Sequence, residues 1–362
     1  MTKISISGEK FLIDGQPVYI GRTFEGKPIE GLLFNVRAVQ ATFDDGNPTT
    51  RGLWAYPDTG EWDPERNVNE FLDALPAWRD HGVLGFTVNF QGGGGRYIPE
   101  IYQAYDNNGY TPDGEIKPAY ADRMARVIQR ADELGMIVIV GMFYWIQTNK
   151  MNGEGAIWHA VENSLAFLRS LNKQNVMIEI ANETNYHFTF PIFGPDKAHE
   201  MVTHFKNRYP EFPITTSLVG ANLETGQGMP TSALIEASDY ILIHGNGTRP
   251  PMLTAVIEAV RAMPAFKANP KPLMINEDST GIPNLEASWS NYVSWGYYDQ
   301  GYNGEARQHD IWVEDAAFHT RECKIENLSG FQSPPVNWTI NTPRKRAFFE
   351  RVAQITGPAS AK

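Results

Sequence analysis

Cysteine is almost missing from this chain. Its one thiol, Cys323, has no partner for an intrachain disulfide, and no Cys/His set has the spacing of a structural zinc site. Positive charge is short as well: Lys+Arg number 31 against Asp+Glu 42, for a net charge of -11. That balance argues against general binding to nucleic acid or to an anionic membrane surface. No apolar run approaches the length of a membrane span, and the opening Met1-Thr-Lys-Ile-Ser-Ile-Ser7 lacks the apolar core of a signal peptide. The expected location is the cytoplasm, or the secreted or periplasmic space of a bacterial cell after processing.

Two apparent motifs also fail. Gly92-Gly-Gly-Gly-Arg96 has no Gly-Lys-Ser/Thr ending, so it reads as a turn and not as a phosphate loop. His199, Glu200 and His204 imitate a metalloprotease helix with one residue too many. A five-residue step turns the second imidazole about 500° around the axis, off the face of the first. No metal and no cofactor is expected.

What the chain does have is a large apolar complement, 42% of 362 residues, and a repeating order. In the opening segment 1–22, residues 3–20 alternate apolar and polar side chains around Asp14-Gly15, the pattern of a hairpin able to plug the base of a barrel. Apolar strand patterns follow at 31–39, 84–90, 136–143, 176–181, 214–219, 240–243, 272–277 and 295–299. Helical patterns alternate with them; near 66–80, Val68, Phe71, Leu72, Leu75 and Trp78 recur at helical intervals. Strictly alternating strands and helices imply parallel strands joined by right-handed crossovers, and eight of each favour a single closed (β/α)8 barrel. One domain over 1–362 is expected, with long top-face loops at 91–117 and, before the last helix, at 300–343.

Such a barrel gathers its chemistry at the C-terminal strand ends. Two apolar runs end there in acids: Val176–Ala181 in Asn182-Glu183, and the run over 272–276 in Glu277. Paired carboxylates on separate strands suit general acid and nucleophile work on one bond. The other ends offer Arg37, Asn89, Gln91, Tyr144, Trp145, His244, Asn246 and Trp295. Carboxylates, amides and rings together suit a sugar, whose hydroxyls need polar partners and whose ring faces pack on aromatics. Trp54 and Tyr56 are further candidates for the cleft. Glu179 shares the strand parity of Glu183 but lies deeper, which suits a buried hydrogen-bonded acid better than a catalyst. Asp44, Asp45 and Asp278 are expected to be solvated or supporting groups.

These residues resemble the cellulase-like, clan A retaining glycoside hydrolases, in which an acid/base Glu follows an Asn after strand four and a nucleophile Glu ends strand seven. Asn182-Glu183 and Glu277 match by strand and by type. The resemblance implies that Glu183 is the acid/base and Glu277 the nucleophile of an enzyme that cleaves an oligo- or polysaccharide with retention. The strand ends offer Asn182, Arg37, Asn89, Gln91, Tyr144, His244 and Trp295 as carbohydrate contacts, and the resemblance implies that Trp295 is a platform for a sugar ring and that His244 lies near the nucleophile. One departure stands out: the Arg often found after strand two is replaced by Asn89-Phe-Gln91, and Arg37 on strand one is the available substitute. The rival reading is a carbohydrate-binding protein with lost or altered catalysis. A third is a metal-dependent barrel hydrolase. The sugar, the endo or exo mode and the oligomeric state are left open.

Overall fold

The computed structural model describes residues 1–93, 104–246, 248–300, 330–332 and 334–357. Most of the expected 300–343 loop and the middle of 91–117 lie outside the described residues. Eight strands form one sheet: β1 (Asn35–Arg37), β2 (Gly85–Asn89), β3 (Ile137–Phe143), β4 (Val176–Ala181), β5 (Ile214–Thr215), β6 (Ile241–His244), β7 (Leu273–Glu277) and β8 (Ser294–Tyr297). Hydrogen-bonded neighbours run β5-β4-β3-β2-β1-β8-β7-β6, and each pair is parallel. The remaining seam is bridged by Asp239 N donating to Ile214 O and Ala221 N donating to His244 O, both at 3.0 Å. The expected (β/α)8 barrel is the observed fold.

Each strand is followed by a helix: α1 (Pro64–Asp80), α2 (Pro118–Leu134), α3 (Glu154–Ser170), α4 (Ala198–Arg208), α5 (Ser232–Ala237), α6 (Pro250–Ala262), α7 (Ile282–Ser290) and α8 (Pro343–Thr356). Local chemistry sets their ends. The Asp63 carboxylate accepts from the N–H groups of Glu65 and Arg66, and Pro64 occupies the first turn, where its missing N–H costs nothing. Helix α2 stops at Gly135, whose φ of 70° is the left-handed conformation that a helix-ending glycine adopts cheaply. On α1 the predicted stripe of Val68, Phe71, Leu75 and Trp78 is buried, with Leu72 at its margin. Among the described residues no helix is long and apolar enough to cross a membrane.

The N-terminal segment folds as three short antiparallel strands, Ile4–Ser7, Lys10–Ile13 and Gln16–Pro17. The expected turn at Asp14-Gly15 is present, and a second one falls at Gly8 with φ 57°. Ile4, Phe11 and Val18 seal the base of the barrel against Leu33, Ile139, Met177, Leu242 and Met274. The barrel interior therefore changes character with height. Its lower layer is hydrocarbon, whereas the next inward positions are Asn35, Glu179 and Asn276, and Arg37 and His244 lie above. Between them, Val36, Ile178 and Ile275 point outward to the helices.

Strand β5 is shorter than the pattern over 214–219 suggests. Beyond Thr215 the hydroxyls take over the pairing: Thr216 Oγ1 donates to Ala181 O at 2.8 Å, and Ser217 Oγ accepts from Glu183 N at 2.9 Å. Side-chain bonds of this kind compete with a regular ladder and end it here.

Candidate active site

Strand β4 is buried along its whole length, and it delivers Glu183 through an unusual backbone. Glu183 has φ 52°, a left-handed conformation that costs a residue with a Cβ roughly 1–2 kcal/mol. Two bonds hold it: Glu183 N to Ser217 Oγ at 2.9 Å, and Thr184 N to Ser217 O at 3.0 Å. Strain of this sort persists where the surroundings over-determine it, as they do beside this cluster of ionisable groups.

Glu277 arrives at the end of β7, opposite His244 of β6, where the register of the two strands shifts between Ile243 and His244. Both its oxygens are engaged. Arg37 Nε lies 2.7 Å from Oε2, and Asn246 Nδ2 donates to Oε1 at 2.8 Å. Two donors, one of them a fixed cation, suit an ionised carboxylate. The same Arg37 fork donates to Asn182 Oδ1 at 2.6 Å. Burial opposes the charge of Arg37, but Glu277 and Glu179 outweigh it, and its affinity for the proton rises above the ordinary value.

Glu183 sits differently. Burial, and then the charge of Glu277, raise its pKa above the ordinary value, against the pull of His244 and Arg37. His244 Nδ1 lies 3.0 Å from Glu183 Oε1 and 3.8 Å from Glu277 Oε2. Burial acts to lower the imidazole pKa, but Glu277 and the bond to Glu183 prevail, so it too is raised. One oxygen of each acid and an imidazole nitrogen lie within 4.8 Å of one another. Two carboxyl groups at that spacing, one favoured charged and one favoured protonated, can divide the roles of nucleophile and acid. The three ligand atoms could also surround a divalent cation. Arg37 makes that use poor, because its guanidinium already neutralises Glu277 and would repel a second positive charge.

The acids open into a cleft of about 640 Å3. Tyr144, Tyr186 and Tyr298 line it, and much of its wall comes from the loops after β5 and β6. Arg37, Asn182, Glu183, His244 and Glu277 are thus brought together, with Tyr144 on the cleft. Asn89 and Gln91 are not on it. Asn89 is buried below, filling the space over Gly141, where a Cβ would stand 2.1 Å from its Oδ1. Gln91 is consumed by structure: its Nε2 donates to Asn108 Oδ1, and its Oε1 accepts from Tyr144 N and Thr148 Oγ1.

Trp295 is not on the cleft, contrary to expectation. It is fully buried, its indole packs 5.8 Å from Phe348 of α8, and its Nε1 donates to Asp278 Oδ2 at 2.7 Å. Strand β8 continues past it to Tyr297, and alternation turns Ser294, Gly296 and Tyr298 inward instead. Tyr298 is the ring that faces the cleft, 5.9 Å from the Arg37 guanidinium. Trp54 and Tyr56 also leave the cleft, for they pack with Phe43, Trp62 and Tyr105 in a separate cluster. Trp145 packs on Tyr186 and His187 behind the cleft wall. Asp45 accepts from Trp54 Nε1, and Asp44 pairs with Arg51, both as supports. Asp278 accepts from Trp295 and Asn284, and burial pushes its pKa up to about 7. Tyr298, Tyr186 and Ser217 were missed by the residue patterns; only Tyr298 left a signal, through the parity of β8.

No protein-family model and no curated protein sequence matches the chain. Solved structures do resemble it. The β-1,4-D-mannanase of Cryptopygus antarcticus has a TM-score of 0.53 at 14% identity, covering 94% of this chain and 100% of that one. A glycoside hydrolase family 5 mannosidase from Rhizomucor miehei has 0.51 at 11%, covering 98% and 97%. The hyperthermostable endo-1,4-β-D-mannanase of Thermotoga petrophila has 0.50 at 12%, covering 89% and 99%. At such identities the likeness is one of fold, and in fold this chain is similar to these proteins over nearly its whole described length.

Proposed function

We propose that the chain is a retaining glycoside hydrolase of the clan A type, acting on an uncharged oligo- or polysaccharide. The observation that carries the reading is the carboxylate pair, facing across the barrel mouth with reacting oxygens within 4.8 Å. Retaining enzymes hold their two carboxyl groups about 5–5.5 Å apart, whereas inverting ones leave about 6.5–9.5 Å for a water. Glu277, kept charged by Arg37, attacks the anomeric carbon and displaces the leaving oxygen. Glu183 gives that oxygen its proton. In the second step Glu183 takes a proton from water, which attacks the same carbon and releases Glu277. Asn182, its Oδ1 occupied by Arg37, turns its Nδ2 donor to a sugar hydroxyl near the reacting carbon. Tyr298 offers a ring face to the sugar.

The strand-two arginine whose absence favoured a non-catalytic binder has a stand-in, since Arg37 reaches Glu277 from strand one. The similar structures carry mannanase and mannosidase names, so β-1,4-mannan and its oligosaccharides head the substrate panel. Proton NMR of the first-formed product should show the anomer of the substrate, and a fluorinated glycoside should trap an adduct on Glu277. An inverted anomer, an adduct elsewhere, or no hydrolysis across plant and microbial polysaccharides refutes the proposal.

A further inference from the structure

Glu179 is fully buried in the polar layer beneath the two acids, and its carboxylate is shared among four other parts of the barrel. Ser217 Oγ, after β5, donates to Oε1 at 2.5 Å, and Asn276 Nδ2 of β7 donates to Oε2 at 2.8 Å. Arg37 of β1 approaches Oε2 at 3.7 Å, and His244 Nε2 of β6 faces Oε1 across 4.0 Å. Three of these four partners go on to touch a catalytic carboxylate or its backbone. Arg37 continues to Glu277, His244 to Glu183, and the Ser217 oxygen that donates to Glu179 accepts from Glu183 N.

The proposed function assigns no work to this acid. From these contacts, and resting on that reading, we propose that Glu179 is a positioning residue. Its anion orders Arg37, His244 and Ser217, and through them it sets the placement of both Glu183 and Glu277. Charge and direction both enter. An anionic Glu179 obliges Ser217 to point its proton downward, which leaves a lone pair for Glu183 N and so secures the left-handed turn. It also supplies the second anion of the cluster. The remaining ionisable neighbours are Tyr240, whose hydroxyl donates to Ile178 O at 2.9 Å, and Asp278 and Tyr298 beside His244 and Arg37.

The test compares Glu179→Gln, Glu179→Asp and Ser217→Ala with the wild type. One readout, NMR titration of the His244 imidazole, needs no substrate; the other is the pH profile of hydrolysis. Glu179→Gln removes an anion facing Nε2, so the His244 midpoint should fall by about half a pH unit or more. Its kcat should fall at least ~10-fold while KM moves little, as for an interaction realised in the transition state. Glu179→Asp should return the midpoint most of the way. Ser217→Ala keeps the charge and so the midpoint, but it should lower kcat by freeing Glu183. A folded Glu179→Gln with the wild-type midpoint, or with full kcat, overturns the proposal. If Glu179→Gln does not fold, Glu179→Asp decides through kcat: its carboxylate is drawn back by one methylene from Ser217 and Asn276, so full kcat overturns the proposal. A wild type that hydrolyses nothing refutes the glycosidase reading alone, and the His244 titration still judges the role of Glu179.

Discussion

Arg37→Met tests the cation that replaces the missing strand-two arginine. Arg37 is buried, donates to Glu277 and Asn182 at 2.7 and 2.6 Å, and faces Glu179 at 3.7 Å. Removing one partner of a buried pair typically costs about 3–5 kcal/mol, because the other charge is left uncompensated. Against a total stability of about 5–15 kcal/mol, the variant should fold at 25 °C with a clearly lowered Tm. The kinetic effect has a definite sign. A cation beside a carboxylate lowers its pKa by about 1–3 units, so its loss raises the proton affinity of Glu277. The acidic limb of kcat/KM should therefore move to higher pH by about 1–3 units, and kcat at the new optimum should fall at least ~10²-fold. Arg37→Lys restores charge without the fork that spans Glu277 and Asn182. Its acidic limb should return towards the wild type while kcat stays low. Full pH profiles on one good substrate, with thermal melts, measure both effects. An acidic limb unmoved in Arg37→Met would refute the assignment of Arg37 as the counter-charge of the nucleophile.

Glu183→Gln and Glu277→Gln should each lose at least ~10² in turnover with near-wild-type melts, and wild-type rates in either remove that residue from the mechanism. Tyr298→Ala should raise KM or lower kcat, whereas Trp295→Phe should leave KM alone and reduce Tm through the lost bond to Asp278; a KM effect confined to Trp295 would return that ring to the cleft. Asp278, raised from 3.8 to about 7 by burial, binds more protons folded than unfolded between those values. Stability should therefore fall as pH rises through that window, by up to about 4 kcal/mol, and Asp278→Asn should flatten this part of the Tm curve, as followed by calorimetry.

The barrel was legible because its two periods are separable in the chain: apolar runs such as Val176–Ala181 alternate with the helical stripe of Val68, Phe71, Leu75 and Trp78. Glu183 and Glu277 stood out because each ends a buried run, where an acid has no structural excuse. Side-chain direction was less legible. Strand β8 runs two residues past Trp295, and with a period of two the facing ring became Tyr298. The fate of Gln91 depended on partners at Asn108, Tyr144 and Thr148, which no strand pattern predicts. Nor does a pattern show the left-handed turn at Glu183, which Ser217 holds from the segment after β5.

The seal at the base of the barrel bears on how the molecule assembles. Phe11 packs 6.1 Å from Tyr240, and Ile4, Phe11 and Val18 share their cluster with Leu242 and Met274. These partners follow by more than two hundred residues in the chain. During synthesis the segment therefore leaves the ribosome with an apolar face that Leu33, Ile139 and Met177 cover only in part until β6 and β7 have been made. Contacts of such separation form late, and an uncovered strand edge in the meantime invites association with other chains. Replacing Phe11 by a polar residue should thus lower soluble yield more than it disturbs the Glu183–Glu277 pair at the opposite end of the barrel.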